Sequence, residues 1–374
     1  MMEYEAETGR LGLLALEHLW CIHRTGVLER LDEADSVEGC SGGTSRNIDK
    51  RTFVGKVSTV MKATSALQTT GPQTTGIEEF EAFLDGGGVV EPGDPMPEDF
   101  RREVFRFIEL HANSEYMGGL TERDWIPKAP GLHRKLTALA KTQDEIGHAH
   151  LLYMVAADMG IKTRDEMMID LLAGRTKFHN VFHYRAHTWT DQVAIAYLVD
   201  AAALASQQAV FKNCSYGPYK RVLRRIIAEE GFHMRNGEEL LLVMAEGTEQ
   251  QRQMMQESID RWWWPAVQLF GPDSRPDDVL LRWHIKSERN EVLRDRYIQK
   301  FVPQLLDYGF TIPDLDLHQN EDGRWVAGTI DWEPLIATMR NGGPDSARRL
   351  ADARRAWDDA AWVREALDAA ASLA

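Results

Sequence analysis

Apolar residues change their spacing near position 98. Upstream, from Asp32 to Pro97, the chain is rich in Gly, Ser, Thr, Asp and Pro, with tracts such as Ser41-Gly42-Gly43-Thr44 and Glu91-Pro92-Gly93-Asp94-Pro95. Few periodic apolar positions are left there to bury. Residues 1–96 are therefore expected to form an irregular, flexible extension with short helices around 10–30 and 77–84. Gly86-Gly87-Gly88 lacks the Lys-Ser/Thr pair of a phosphate-binding loop. Downstream the apolar period is 3.6 and stays so. Val104, Ile108, His111 and Glu115, spaced by four, three and four, share one face of a helix over 98–120. A second helix covers 131–159 and stops at Gly160, and a third covers 190–214. Tyr216-Gly217-Pro218-Tyr219 breaks the third and opens a fourth over 220–245. Further helices are expected at 248–269, 276–307 and 345–370, with one small β-hairpin around Glu321-Asp322-Gly323-Arg324. Four long helices in two hairpins predict an all-α four-helix bundle over 97–374, with additional C-terminal helices.

The chemistry sits on those four helices. The second carries Glu145-Ile146-Gly147-His148 and the fourth Glu230-Gly231-Phe232-His233, each a Glu-x-x-His pair. Residues i and i+3 lie about 60° apart around the axis and one turn along it, so both side chains of a pair reach one ion. The first and third helices place Glu115 and Asp200 inside apolar stretches. Glu115 precedes Glu145 by 30 residues and Asp200 precedes Glu230 by 30, as two similar hairpins related by a pseudo-twofold would require. One acid from each of two helices plus Glu-x-x-His from the other two is the ligand set of di-iron carboxylate bundles.

Charge supports that set. Four carboxylates carry −4 and neutral imidazoles add nothing, so two divalent cations cancel the sum. Without metal, each buried acid would cost several kcal/mol to keep ionised. Oxygen and imidazole donors without thiolate suit iron or manganese better than a structural zinc site. Glu115, Glu145, His148, Asp200, Glu230 and His233 are the expected metal ligands and, through the metal, the catalytic residues. Asp144 and Glu229, each four residues before its histidine, remain alternatives, although the i, i+3 pairing fits better. Asp200 is preferred to Gln207, two turns on, because an anion is the better ligand.

Composition narrows the class further. The chain has 374 residues and a formal charge of −15, against a general nucleic-acid or anionic-membrane partner. Cys21, Cys40 and Cys214 are too few and scattered for a disulfide framework or a thiolate metal site, which suits a reducing cytoplasm. The apolar stretch 11–22 is interrupted by Glu17 and His18 and is too short for a bilayer, so no membrane role is expected.

Several segments carry a resemblance. They are His111-Ala112-Asn113-Ser114-Glu115, Lys141-Thr142-Gln143-Asp144-Glu145-Ile146-Gly147-His148, Leu198-Val199-Asp200 and Ser215-Tyr216-Gly217-Pro218-Tyr219. Glu229-Glu230-Gly231-Phe232-His233, Trp263-Trp264-Pro265-Ala266 and Phe270-Gly271-Pro272 complete the series. In this order, residues 98–374 resemble the catalytic A subunits of phenylacetyl-CoA 1,2-epoxidase complexes, ring-epoxidising multicomponent monooxygenases of ferritin-like di-iron fold. The resemblance implies two iron ions, O₂, and an aromatic acyl-CoA thioester whose ring accepts one oxygen atom. It also implies a related non-catalytic helical subunit, together with a separate reductase carrying flavin and an iron–sulfur centre that draws on NADPH. This chain has no Gly-x-Gly-x-x-Gly after a strand, no flavin motif and no cysteine set for an iron–sulfur cluster.

Other residues are weaker candidates. Lys177 matches a family position associated with CoA. Arg221 and Arg224, in the basic cluster with Lys220 and Arg225, are candidates for its phosphate or for an acidic partner. Lys141, one turn before Glu145, is read either as the partner of a ligand carboxylate or as a surface lysine. His179, His183 and His187 lack the acids of a hydrolytic zinc site and are read as incidental. Trp262-Trp263-Trp264 is read as packing or subunit interface. The competing functions are a ferritin-like iron store or ferroxidase and a non-catalytic subunit of the same complex. Loss of ligands would mark the latter.

Overall fold

A computed structural model describes residues 71–72 and 76–371. The chain divides into two units, Pro72–Asp358 and Met1–Gly71 with Asp359–Ala374. The expected helix around 10–30, the tract at 41–44, Cys21 and Cys40 lie outside the described residues. Helix α1 (Ile77–Asp85) covers the short helix expected at 77–84. It closes on Gly86-Gly87-Gly88, whose amides return to the carbonyls of Ala82, Leu84 and Phe83, with Gly87 at φ +83°. Phe80, Leu84 and Val90 are buried with Phe100, Val104 and Ile108. Val90 also forms a parallel bridge with Tyr216. The packed body thus begins upstream of residue 97, on large apolar side chains set among glycines and prolines.

Two helical hairpins come next. The first is α2 (Glu98–Arg123) with α3 (Gly131–Ala157). These helices pack along their lengths, and at Gly119 a Cβ would sit 2.8 Å from Ile146 Cδ1. Helix α4 (Arg164–Leu172), capped by a reciprocal Thr163–Glu166 pair, and a 3₁₀ turn at Asn180–His183 lead to the second hairpin. Its helices are α5 (Trp189–Asn213) and α6 (Gly217–Ala245). Helix α5 is long and apolar enough to cross a membrane, but most of that stretch is buried inside the bundle, as suits a helix apolar on every side.

The remaining elements wrap the bundle. They are α7 (Glu249–Gln268), α8 (Val279–Arg282), α9 (Asn290–Asp307), strands β1 (His318–Gln319) and β2 (Trp325–Val326), α10 (Glu333–Asn341) and α11 (Ser346–Asp359). Helix α12 (Ala361–Ala371) belongs to the second unit. The hairpin expected near Glu321–Arg324 is present, with His318 opposite Val326. The helix expected over 276–307 is instead split into α8 and α9. The intervening loop packs on the end of α5: Ser215 N donates to the His284 carbonyl and Ser287 N to that of Ala209. His284 turns to φ 54° there. Tertiary hydrogen bonds override the helical period. Trp262 and Trp263 are buried, and Trp264 donates to the Pro313 carbonyl, so the indole run is packing.

Inside α5, Ile195–Val199 forms a π-helical turn directly before Asp200. The extra residue widens the turn and re-aims the side chains after it. Tyr297 OH donates to the Leu198 carbonyl there, at 3.1 Å. Helix α6 meets the widened turn at Gly237, where a Cβ would lie 2.5–2.7 Å from the backbone of Ala196 and Tyr197. Only hydrogen fits at that position. Gly237→Ala is expected to destabilise the chain by about 1–3 kcal/mol, read as a fall in thermal midpoint, because backbone rather than a side-chain tip must move.

Candidate metal centre

Helices α2, α3, α5 and α6 bring the six expected residues together in two overlapping groups. Donor atoms of Glu115, Glu145, His148 and Glu230 lie within 4.8 Å of one another, and so do those of Asp200, Glu230 and His233. Glu230 belongs to both groups. Glu145 reaches the second as well, with Oε1 3.6 Å from His233 Nδ1. All six side chains are buried. Each group could hold an ion, and Glu230 would be common to both.

The two alternative carboxylates face the outer ring nitrogens of the histidines. His148 Nε2 lies 2.7 Å from Glu229 Oε2, and His233 Nε2 lies 3.1 Å from Asp144 Oδ2. Each of these carboxylates reaches across from the opposite Glu-x-x-His helix. The inner Nδ1 atoms face the clustered acids: His148 Nδ1 is 3.4 Å from Glu115, and His233 Nδ1 is 3.3 Å from Glu230. Asp144 and Glu229 thus hold the outer ring nitrogens and fix imidazole orientation. Sequence spacing alone could not separate these roles, since i+3 and i+4 neighbours both lie near one face.

Three further side chains of the site, Glu122, His111 and Tyr219, carry no assignment from the sequence. Glu122, two turns beyond Glu115, accepts from Lys141 Nζ at 2.9 Å, and Lys141 also donates to Asp200 Oδ2 at 2.7 Å. Lys141 is buried, so of its two readings the paired one is observed. His111 Nε2 lies 2.7 Å from Glu115 Oε1, and its Nδ1 lies 2.8 Å from the Tyr219 hydroxyl. Gln207 donates to Glu115 Oε1 at 3.3 Å. Glu122 and His111 carried a signal, being polar residues on the buried face of α2. Tyr219 did not, because its contact spans two hairpins.

Burial and neighbouring charges shift the titration of the clustered groups. Burial pushes Glu145 well above the usual carboxylate range, with Glu230 and Glu115 adding to it. Burial raises Asp200 to about 6 against the pull of Lys141. Burial opposes ionisation of Glu230 as well, yet hydrogen bonds from His148 and His233 bring it down to about 2. Glu115 is likewise held low against burial by His111 and His148. Burial disfavours both imidazolium ions, but Glu115 and Glu229 raise His148, and Asp144 and Glu230 raise His233 to about 9. Protons on the histidines and on Glu145 supply the positive charge that the clustered acids need. Two divalent cations would supply it instead, which is the test that this donor set passes.

Beside the cluster lies a cavity of about 100 Å³. Glu115, Glu145, Asp200 and Glu230 line it, and Leu110, Val181, Phe182, Ile195, Trp262 and Leu269 are among its apolar residues. The segment carrying Val181 and Phe182 is pinned from two sides. Asn113 Nδ2 donates to Thr176 Oγ1 and the Lys177 carbonyl, and His179 N donates to Ser114 Oγ. From the other side, the buried Arg349 guanidinium donates to the carbonyls of Phe182 and Tyr184. His179, read as incidental, lines the cavity; His183 stacks on Phe178 at 4.0 Å instead. Lys177, Arg221 and Arg224 are exposed and none lines the cavity. Arg221 is held by both oxygens of Glu91 at 2.6 and 2.7 Å.

Metal binding is expected to release protons from the raised groups, His148, His233 and Glu145. The sign follows from the raised values: below about 9 His233 holds a proton that an ion must displace, so affinity falls as pH falls from 9 toward 6. Calorimetry of Mn²⁺ binding in buffers of different ionisation enthalpy counts those protons. Asp144→Asn is expected to weaken metal affinity by about 10–100-fold while leaving all six candidate ligands in place, read by competition with a chelator.

Residues 61–362 match the family model PaaA_PaaC, Phenylacetic acid catabolic protein. The match begins upstream of the resemblance read at 98–374 and takes in α1. Over 293 residues the chain is 41% identical to the A subunit of the 1,2-phenylacetyl-CoA epoxidase of Escherichia coli (strain K12), a similarity that covers 77% of this chain and 94% of the relative. With its bundle, its paired Glu-x-x-His helices and this extent of similarity, the chain belongs to the phenylacetic acid catabolic protein family.

Proposed function

We propose that this chain is the catalytic di-iron subunit of a multicomponent monooxygenase that epoxidises the aromatic ring of phenylacetyl-CoA. The observation that carries this reading is the two overlapping groups of buried donors beside an apolar cavity. That cavity is of the order of the ~150 Å³ apolar cavity known to accept benzene. Glu115, Glu145, His148, Asp200, Glu230 and His233 would hold two iron ions. When bound, iron supplies O₂ activation, with one oxygen atom passing to the ring, the other leaving as water, and two electrons arriving from outside.

The chain's own residues do the rest. Phe182, Trp262, Ile195 and Leu269 exclude water and give the ring an apolar seat. Asp144 and Glu229 keep the imidazoles turned toward the acids. Lys141 holds Asp200 from behind. The electrons come from a separate NADPH-dependent reductase bearing flavin and an iron–sulfur centre, since the chain carries no motif for either. Lys177, next to the cavity-wall segment, is the candidate for a CoA phosphate; Arg221 is committed to Glu91 and Arg224 lies away from the cavity lining. A non-catalytic subunit would lack part of the donor set, and all six are here. An iron store would not call for the apolar cavity.

The test is aerobic turnover of the iron-loaded chain with its partner subunits, reductase, NADPH and phenylacetyl-CoA. The expected product is heavier by one oxygen atom, formed by protein carrying about two irons per chain. Glu230→Ala, which removes the donor shared by both groups, is expected to lower turnover by more than about 100-fold with loss of iron. Full iron content and full turnover in that variant would refute the ligand assignment.

A further inference from the structure

Most residues lining the cavity stand on helices, but His179, Val181 and Phe182 belong to the 3₁₀ turn at Asn180–His183 and the residue before it. Of these, Phe182 reaches toward the donors. A Cβ at Gly118 would lie 3.1 Å from Phe182 Cε1 and 3.4 Å from Glu145 Oε2. The ring edge therefore rests on bare backbone of α2 beside Glu145, and any shift of that ring changes the room next to the donors. That room is narrow. A cavity of about 100 Å³ is smaller than the ~150 Å³ that accepts benzene, so one phenyl ring leaves nothing over for a substituent.

On its outer side the turn is held by one segment far along the chain. Three successive carbonyls are taken there. Arg349 Nη1 donates to those of Phe182 and Tyr184 at 2.9 and 3.2 Å, and Asp345 N donates to that of His183 at 3.2 Å. Gly343 N donates to His183 Nδ1 at 3.1 Å. A Cβ at 343 would lie 2.5 Å from His183 Cβ, so the two stretches are pressed together with no side chain between them. The hydroxyls of Tyr184 and Thr338 meet at 3.2 Å.

Arg349 is 2% exposed, with Nη2 3.0 Å from Asp345 Oδ2. Its Nε–H is buried without a hydrogen-bond partner among the described residues, 3.9 Å from Asp124 Oδ2. An unmade bond in the interior is costly. A guanidinium that served only to anchor α11 would turn that N–H onto the carboxylate. This one is turned so that a single fork nitrogen meets two carbonyls of the cavity wall. We propose that Arg349 is a positioning residue for ring selection: by fixing the Phe182 carbonyl it holds the Phe182 ring against Gly118, so that the site takes an unsubstituted phenyl ring and refuses one bearing a further methyl group. This deepens the ring-epoxidation reading above and rests on it.

The experiment compares phenylacetyl-CoA with its ortho, meta and para ring-methyl analogues, as ligands and as substrates of the iron-loaded chain assembled with its partner subunits and reductase. The wild-type protein is expected to bind and turn over each methyl analogue at least about tenfold less well than the parent, the usual worth of one misfitting carbon. Arg349→Met is expected to recover most of that difference for at least one isomer, and Phe182→Ala for the same isomer. A role confined to anchoring α11 would lower the thermal midpoint and affect all the thioesters alike, leaving their ratios where they were. Arg349→Lys keeps the positive charge beside Asp345 but not the fork, and meets the same expectation where Arg349→Met does not fold. Unchanged ratios in the folded Arg349 variants, or in Phe182→Ala, overturn the proposal. So does a wild-type protein that accepts the methyl analogues as well as the parent. Binding ratios that shift without product from any thioester remove the epoxidation reading and leave the assignment of Arg349. Product from phenylacetyl-CoA with unchanged ratios does the reverse, and absence of binding by every thioester removes both.

Discussion

Carboxylates gathered in a low-dielectric interior repel one another, and that repulsion governs the rest of this molecule. Glu115, Glu145, Asp200 and Glu230 converge from four helices, and none is exposed enough for water to screen it. Something positive must stand among them. His148 and His233 are raised by the acids around them, Glu145 is pushed well above the usual carboxylate range, and Lys141 bonds Asp200 and Glu122. The cluster could hold a metal ion, and Asp144 and Glu229 orient its imidazoles from outside the donor groups.

Those groups are arranged as a reciprocal pair. Asp144 on α3 bonds the imidazole of α6, and Glu229 on α6 bonds that of α3. The hairpins are thus cross-tied at the level of the donors, and each histidine is set by the helix opposite it. The pseudo-twofold is broken at the acids of the outer helices. Glu115 is attended by His111, Tyr219 and Gln207, whereas Asp200 follows a π-helical turn and pairs with Lys141. The two donor groups, alike in donor type, are thereby unlike in surroundings.

Much of this is legible in the sequence because helices write their geometry in short spacings. The four long helices, the hairpin near Glu321–Arg324 and the convergence of six donors all follow from i, i+3 and i, i+4 relations plus the repeated interval of 30 residues. What is not legible depends on contacts between distant segments. The π-helical turn before Asp200 exists against Gly237, about forty residues away in sequence, and leaves no local mark. Residues 283–289 break a helical period because the end of α5 takes their hydrogen bonds. The buried Phe80, Leu84 and Val90 are masked by the glycines and prolines around them. Charge alone leaves Arg221 open to a phosphate, an acidic partner or plain solvent, and Glu91, 130 residues away, holds it.

The clamp on the segment from Thr176 to Tyr184 reaches further than its size suggests. Asn113 and Ser114 grip it beside Glu115, while Arg349, late in the chain, fixes the carbonyls of Phe182 and Tyr184. The apolar wall is thereby suspended between the first helix of the bundle and a helix laid down long after the last donor. Pocket shape and donor geometry are then separate inheritances: drift around position 349 can remodel the space offered to a ring while every atom facing the ions stays where it was.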